Sequence, residues 1–219
     1  AASAVADYIA VNIIGLRPVF DFDVEHRIPL RLYWAVVLLG VILGILGVIY
    51  NKLLDKMQDF FDRLGNKFIS IGIMLMISFL MMFIYPTVLG SGNNLVKVIS
   101  DGKFTLIALA ILLVAKLLFS TGSFGTGTPG GIFLPLLVIG AITGGLYSTF
   151  LSTAFGVEEY YIKAFVIIAM AGFFSAIVRA PITGVILITE MTGNFMTLLS
   201  LVAASLVAYV VADLLGGEP

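Results

Sequence analysis

The sequence predicts an all-α integral membrane protein whose helices differ widely in length. The chain has 219 residues, of which 60% are hydrophobic and only 11% are charged, and its mean hydropathy is +1.13. Soluble domains carry about 25% charged residues, so this chain has too few polar groups to cover a soluble core. Its apolar segments are separated by polar turns and by Gly- or Pro-containing breaks, and several are shorter than the roughly 20 residues that cross a bilayer.

The order of these segments is typical of folds with tilted, broken and half-crossing helices. Residues 1–14 predict a short helix, and the charged connector 15–31 is expected to be a solvated loop. Residues 32–51 carry no charge and can span a membrane, and an amphipathic continuation is expected to end near Gly65. The further segments expected to be helical are 68–89, part of 90–102, 104–120, about twenty residues after Gly131, 164–179, 180–193 and 194–215.

Charge and composition exclude several classes of function. The net charge of −1 provides no basic surface for nucleic acid. The chain has no Cys, which removes disulfides, thiolate metal sites and Cys catalysis. His26 is the single His and lies in the charged connector, so no His-based metal site or proton relay is expected. No catalytic constellation is present, so we expect neither an enzyme nor a bound cofactor.

Two features of the first long helix concern its neighbours. Trp34, with Tyr33, is placed where an interfacial aromatic anchor is expected. Gly40, Gly44 and Gly47 have the spacing of small residues that lets two membrane helices approach closely.

A Gly-rich break interrupts the most apolar part of the chain. Residues 122–131 contain five Gly and one Pro, so this stretch is predicted not to be helical. The sequence IFLPLLVIGAITGGLYSTF follows and predicts a helix, with Pro135 in the first turn, where its missing N–H has no cost. A helix is therefore expected to begin near Gly131 or Ile132, within the membrane.

The start of this helix predicts an anion site made of backbone. Gly130 and Gly131 stand where a capping side chain would be, which leaves the amides of Ile132, Phe133 and Leu134 available for a ligand. The helix dipole adds about half a positive charge at this end, and an anion is the natural ligand. The alternative is that the glycines only permit tight helix packing.

Few charges lie in the apolar segments, and each has two interpretations. Residues 117–157 contain no Lys or Arg, which fits an anion pathway that relies on partial charges. Lys116 could raise the potential for anions or extend to the interface. Glu190 could relay protons or pair with a donor near a helix end. Arg179, two residues before Pro181, is expected to end its helix and bind carbonyls or an acid.

Two motifs resemble one known family. The segment GTPGGIFLPLL resembles the GxFxP anion-site motif of the CLC family of chloride channels and chloride/proton antiporters, with Gly131, Phe133 and Pro135 at the motif positions. AGFFSAIVRAPITGVILITEMTGNF, residues 171–195, is similar to the late helices of that family. The resemblance extends over essentially the whole chain. It implies that residues 1–219 are the C-terminal half of a CLC transmembrane domain, the second of two inverted repeats.

The resemblance implies a function, partners and a location. Chloride or a similar small anion would be held by the amides of Ile132, Phe133 and Leu134, with Gly131 and the supporting Gly130 and Pro135 completing the motif. Proton exchange would accompany chloride movement in an antiporter, and no cofactor is implied. A homodimer would form through residues 1–14, 181–192 and 195–214, in the plasma membrane, which for a bacterium is the inner membrane.

The chain also lacks parts of the family pattern. The motifs GREGP, with the gating glutamate, and GSGIP, with the site serine, do not occur, and GSGNN at 90–94 lacks the Pro, so Ser91 is expected to cap a helix. The family's pore tyrosine would follow Pro219. Because the chain begins without Met and ends in LLGGEP, we expect a fragment of a longer protein.

The resemblance therefore implies chloride/proton antiport, with a passive chloride channel as the alternative. Two further alternatives remain open. One is an ion-coupled transporter of organic solutes that also uses broken helices. The other is an assembly subunit without a pore of its own.

Overall fold

Helices account for all the regular secondary structure that the structure describes. The computed structural model describes residues 5, 8, 9, 12, 13, 15, 19, 20, 22, 27–90, 92–102 and 104–216. Its α-helices with defined bounds are α1 (Tyr33–Arg63), α2 (Lys67–Ile84), α3 (Asn93–Ser100), α4 (Leu106–Gly125), α5 (Phe133–Phe155), α6 (Ile162–Val178), α7 (Pro181–Thr192) and α8 (Leu198–Leu214). Short 3-10 turns lie at Leu30–Leu32, Pro86–Val88 and Glu159–Tyr161.

The expected variation in helix length is confirmed. In the described part of the chain, five helical segments are long and apolar enough to cross a membrane by length and composition: Leu30–Arg63, Lys67–Ile84, Leu106–Gly125, Phe133–Phe155 and Glu159–Val178. The helices α7 and α8 are apolar but have only 12 and 17 residues. At 31 residues, α1 is about 46 Å long and ends beside Gly65, as predicted.

The helix α6 forms the centre of the bundle. Its side chains from Ala164 to Ile177 are buried on every face. Helices α1, α5, α7 and α8 pack around it. A helix that is apolar all round needs neighbours on all sides, and α5 is one of these neighbours.

Glycines bring α5 and α6 into backbone contact. A Cβ on Gly140 would lie 2.8 Å from the Ala169 carbonyl oxygen, and one on Gly144 would lie 2.6 Å from that of Phe165. Real Cβ atoms do not approach backbone this closely, so both positions require glycine. The helix that begins with the candidate anion motif is thereby held directly against the centre of the bundle.

The predicted glycine contacts of α1 are also confirmed. A Cβ on Gly44 would lie 2.7 Å from the Cβ of Val211 on α8, and Gly40 packs on the same helix one turn earlier. A Cβ on Gly47 would lie 2.7 Å from the Cβ of Ala176 on α6. The three glycines thus let α1 lie close to both helices.

The connector 15–31 is not the fully solvated loop that its charges predict. Phe20 and Phe22 are buried with stacked rings 6.0 Å apart, and the Phe20 N–H donates to the Met191 carbonyl oxygen at 2.9 Å. Both Phe side chains join the apolar core of the bundle, although their neighbours in sequence are acidic. His26 lies outside the described residues.

The described residues of the first segment agree with the predicted helix. Residues 5, 8, 9, 12 and 13 are helical, and the Asn12 side chain donates to the Tyr8 carbonyl oxygen at 2.7 Å. The remaining residues of 1–14 lie outside the described residues. Ser91, which is expected to cap a helix, also lies outside them.

The predicted start of the Gly-rich break is wrong by several residues. Gly122 and Gly125 belong to α4, which continues to Gly125 instead of ending at residue 120. A Cβ on Gly125 would lie 2.7 Å from the Cβ of Met57 on α1, and one on Gly122 would lie 3.2 Å from the side chain of Met74 on α2. Close packing against α1 and α2 therefore overrides the low helix propensity of glycine.

We expect Gly144→Ala to destabilise the protein, because the added methyl group would strike the backbone of α6. Overpacking of this kind costs about 1–3 kcal/mol. The measurement is the free energy of unfolding in detergent, with Gly72→Ala on α2 as the matched control. A Cβ on Gly72 meets no atom within 4 Å. Equal stability of the two variants would show that α5 and α6 can separate at no cost.

Candidate anion site at the start of helix α5

The break between α4 and α5 comprises residues 126–132, and its first part is well satisfied by local hydrogen bonds. Thr126 Oγ1 donates to the Ser123 carbonyl oxygen at 2.7 Å and lies 2.9 Å from Thr128 Oγ1. The Gly127 N–H donates to the Phe124 carbonyl oxygen at 3.0 Å, and Gly127 has a φ of 71°, which favours glycine. This is a common way for a helix to end.

The start of α5 has no corresponding cap. Ile132 is the N-cap residue, in a right-handed helical conformation, and no side chain accepts a hydrogen bond there. The first described bond into the turn runs from the Leu136 N–H to the Ile132 carbonyl oxygen at 3.2 Å. Among the described residues, the N–H groups of Phe133 and Leu134 have no acceptor, and Pro135 has no N–H to satisfy.

The predicted start of the helix is close to the observed one. The helix begins at Phe133, one residue after the later of the two predicted positions. The reason is that Ile132 already takes the helical conformation but precedes the first residue of the regular helix.

The uncapped end is accessible and rigidly supported. Gly130 and Gly131 are exposed, and a Cβ on Gly131 meets no atom within 4 Å. Ile132, Leu134 and Pro135 are half-buried. The ring of Phe133 packs edge-on against Phe174 of α6, with centroids 5.6 Å apart. These contacts fix the direction in which the free amides point and leave room for a ligand beside the glycines.

Electrostatics and geometry together fit a small anion. A helix N-terminus presents N–H donors and about half a positive charge to the space beyond it. In the described part of the chain, α5 has no acidic residue in its first turn. Residues 130–135 together form this uncapped helix start.

Lys116 is buried and lies away from the start of α5. Its side chain is only 1% exposed, and Nζ donates to the carbonyl oxygens of Val88 at 2.7 Å and Gly90 at 2.9 Å. It does not extend to the surface of the described residues. The ammonium instead holds the Pro86–Val88 turn against α4, ten residues or about 15 Å along the helix axis from Thr126.

Glu190 does not have the helix-end partner that was one of its two interpretations. It is exposed on the last turn of α7, and no ion pair joins it to another described residue. It is not part of the group of residues around the start of α5.

Arg179 behaves as predicted and joins the ends of two helices. It follows α6 with a φ of 60°, a conformation rare outside glycine. Its guanidinium donates to the Asp213 carboxylate at 2.7 Å and to the Ala212 carbonyl oxygen at 3.1 Å, and it lies 5.9 Å from the Tyr209 ring centroid. These contacts connect the end of α6 to the last turn of α8.

Sequence reasoning missed the residues that end α4. Thr126, Gly127 and Phe124 shape the break, and Phe174 supports Phe133. The Thr-Gly pair is a helix C-terminus signal that could have been recognised. The contact with Phe174 joins residues 41 positions apart and left no local signal. Among the described residues, no group of three or more His, Cys, Asp or Glu side chains could hold a metal ion.

Comparison with known proteins identifies the family. Residues 1–213 match the family model described as voltage gated chloride channel. The chain belongs to this family, the CLC family. It is 34% identical over 212 residues to the H(+)/Cl(-) exchange transporter ClcA of Yersinia pestis bv. Antiqua (strain Angola), covering 94% of this chain and 44% of that protein. It is 36% identical over 226 residues to ClcA of Vibrio campbellii (strain ATCC BAA-1116), covering 100% of this chain and 48% of that protein.

Solved structures agree with the fold. A slow cyanobacterial Cl-/H+ antiporter matches with a TM-score of 0.87 and 30% identity, over 98% of this chain and 51% of that one. A CLC-type fluoride/proton antiporter matches with a TM-score of 0.75 and 20% identity, over 97% of this chain and 51% of that one. The predicted CLC-type fold is confirmed, and the chain spans about half the length of the relatives it matches. These relatives are named as transporters and not as enzymes, as expected.

We expect Lys116→Met to destabilise the protein, because it leaves the buried carbonyl oxygen of Val88 and the partly buried one of Gly90 without this donor. Each such group costs about 1–3 kcal/mol. The measurement is the free energy of unfolding in detergent, and Lys97→Met, at an exposed Lys of α3, is the matched control. If both variants unfold alike, the buried ammonium does not hold the turn.

Proposed function

We propose that this chain is the C-terminal half of a CLC transmembrane domain and that its parent protein exchanges chloride for protons across the membrane. The observation that carries the proposal is the uncapped, accessible start of α5, in a helix held by its glycines against α6. Family membership and the exchange activity named for the ClcA relatives support the same conclusion.

Chloride is the substrate ion in this proposal, and no cofactor takes part. The amides of Ile132, Phe133 and Leu134 donate to the anion, while Gly131 leaves space for it. Partial charges of this kind bind a partly dehydrated anion and also release it, as transport requires. Lys116 contributes a buried positive charge along α4, and Glu190, exposed on α7, is not assigned a step.

A homodimer in the plasma membrane of a bacterium completes the proposal. The bacterial origin of the relatives supports that location. The dimer contact is proposed to use segments 1–14, 181–192 and 195–214. Large apolar side chains are exposed along the last two, including Ile182, Ile186 and Leu199, which supports a further packing partner there.

The exchange activity is tested with the intact parent protein in liposomes. Chloride efflux and external pH are recorded together while a chloride gradient is imposed. We expect chloride movement to drive protons against their own gradient. Chloride movement without proton movement would contradict exchange and indicate a passive channel. The absence of chloride movement from folded protein would contradict both and favour an organic solute.

We expect Gly131→Val to weaken chloride binding by at least about tenfold, because a branched side chain would cover the free amides of α5. Calorimetric titration of the intact parent with chloride is the measurement. Gly72→Val, on the open side of α2, is the control. Both variants should retain the mass of a dimer by light scattering.

Unchanged chloride affinity in Gly131→Val would contradict the assignment of the site. A protomer-sized mass for the unaltered parent would contradict the dimer and leave the site assignment standing.

A further inference from the structure

An apolar groove lies between α1, α4 and α5, away from the proposed anion site. Its volume is about 440 Å³, within the range of about 300–1,000 Å³ that proteins use for small molecules. Ile42 of α1, Ile107 and Ala110 of α4, and Leu146 and Phe150 of α5 line it. Ile107 is 74% exposed and Phe150 is 50% exposed, so the groove is open along its length on the described structure.

The groove presents only hydrocarbon to an occupant. Two of its lining residues carry polar atoms, and both atoms are already used within the protein. Thr143 Oγ1 donates to the Ile139 carbonyl oxygen at 2.8 Å, and Tyr147 OH donates to the Ala35 carbonyl oxygen at 2.8 Å. A polar solute would therefore lose its hydration here without gaining a hydrogen bond.

A polar pocket of about 380 Å³ lies close to one end of this groove. Arg31, Glu158 and Tyr161 line it, together with Phe155. The ring centroid of Phe155 lies 6.4 Å from that of Phe150, which lines the apolar groove. An exposed aromatic ring, Trp34, packs against Phe155 with centroids 5.7 Å apart, where the sequence predicts an interfacial anchor.

The succession of environments matches that of a lipid molecule. The groove lies along three helices that can cross a membrane, and the polar pocket lies near the first residues of α1 and beyond the last residues of α5. A cationic and an anionic side chain share the pocket, which matches a head group that carries a phosphate and an ammonium. Guanidinium groups bind phosphate through paired, charge-assisted hydrogen bonds, and a carboxylate accepts from an ammonium.

We propose that this surface binds one phospholipid with a phosphate and a primary amine in its head group, of the phosphatidylethanolamine type. One acyl chain occupies the apolar groove, the phosphate faces Arg31, and the ammonium faces Glu158. The aromatic rings of Trp34, Phe150 and Phe155 separate the two parts at the level of the membrane interface. This inference goes beyond the proposed transport function and does not depend on it.

The test uses the intact parent protein, because the remaining part of that protein is the competing occupant of the groove. The protein is equilibrated with vesicles that contain equal amounts of phosphatidylethanolamine and phosphatidylcholine with identical acyl chains. It is then extracted in mild detergent, and native mass spectrometry counts the lipids of each type that remain bound. Phosphatidylcholine has the same phosphate but no N–H donors, so the ratio reports on the ammonium contact.

Three variants separate the two parts of the site. Ala110→Trp fills the groove, and Val114→Trp places the same side chain one turn further along α4, at an exposed residue outside the lining. Glu158→Gln removes the contact to the ammonium. We expect the unaltered protein to retain phosphatidylethanolamine in preference to phosphatidylcholine, and Val114→Trp to do the same. Ala110→Trp should retain neither lipid. Glu158→Gln should lower the ratio of bound phosphatidylethanolamine to bound phosphatidylcholine by about tenfold, which is the effect of one charge-assisted contact.

Four results would each overturn the proposal. Equal retention of both lipids by the unaltered protein would exclude recognition of the head group. Folded Ala110→Trp protein with undiminished lipid would show that the groove is not the site, as would an unaltered protein without bound lipid. If Ala110→Trp does not give a single species with the same mass as the unaltered protein, Glu158→Gln alone decides, and an unchanged lipid ratio in that variant contradicts the proposal.

Discussion

Backbone polar groups have no water to bind inside a bilayer, so a break in a helix at that depth needs other partners for the N–H and C=O groups that it frees. After α2, the carbonyl oxygens of Val88 and Gly90 are bound by the Lys116 ammonium. After α8, the Ala212 carbonyl oxygen is bound by Arg179. The end of α4 is closed by its own threonine and glycine. The start of α5 is different, because its amides have no acceptor among the described residues, and an external anion is the partner that fits them.

The same constraint separates the structural charges from the proposed anion site. Lys116 and Arg179 are cations within or beside apolar helices, and both donate to backbone carbonyl oxygens. Arg179 also pairs with Asp213. Their positive charge is therefore partly engaged in holding helix ends. The proposed anion site depends instead on dipoles of the backbone, which bind more weakly than a full charge and do not move with a flexible side chain.

The sequence could predict what depends on composition and local pattern. Low charge predicted the membrane, helical segments of unequal length predicted broken helices, and the residues around Gly131 predicted where α5 begins. It could not place Lys116, because the carbonyl oxygens that bind it are 26 and 28 residues away. It also ended α4 too early, because the contact of Gly125 with Met57 is tertiary and outweighs local propensity. Phe20 and Phe22 were assigned to a solvated loop for the same reason, since their neighbours in sequence are acidic and their neighbours in space are apolar.

The contact between α5 and α6 restricts how the protein can move. Gly140 and Gly144 are one turn apart, and each faces a carbonyl oxygen of α6. Sliding α5 by one turn would bring Leu136 or Ser148 into one of these positions, and rotating it would bring in Ile139 or Ala141. None of these side chains fits against backbone at that separation. The two helices therefore move as one body, and a conformational change that displaces α5 must carry α6 with it.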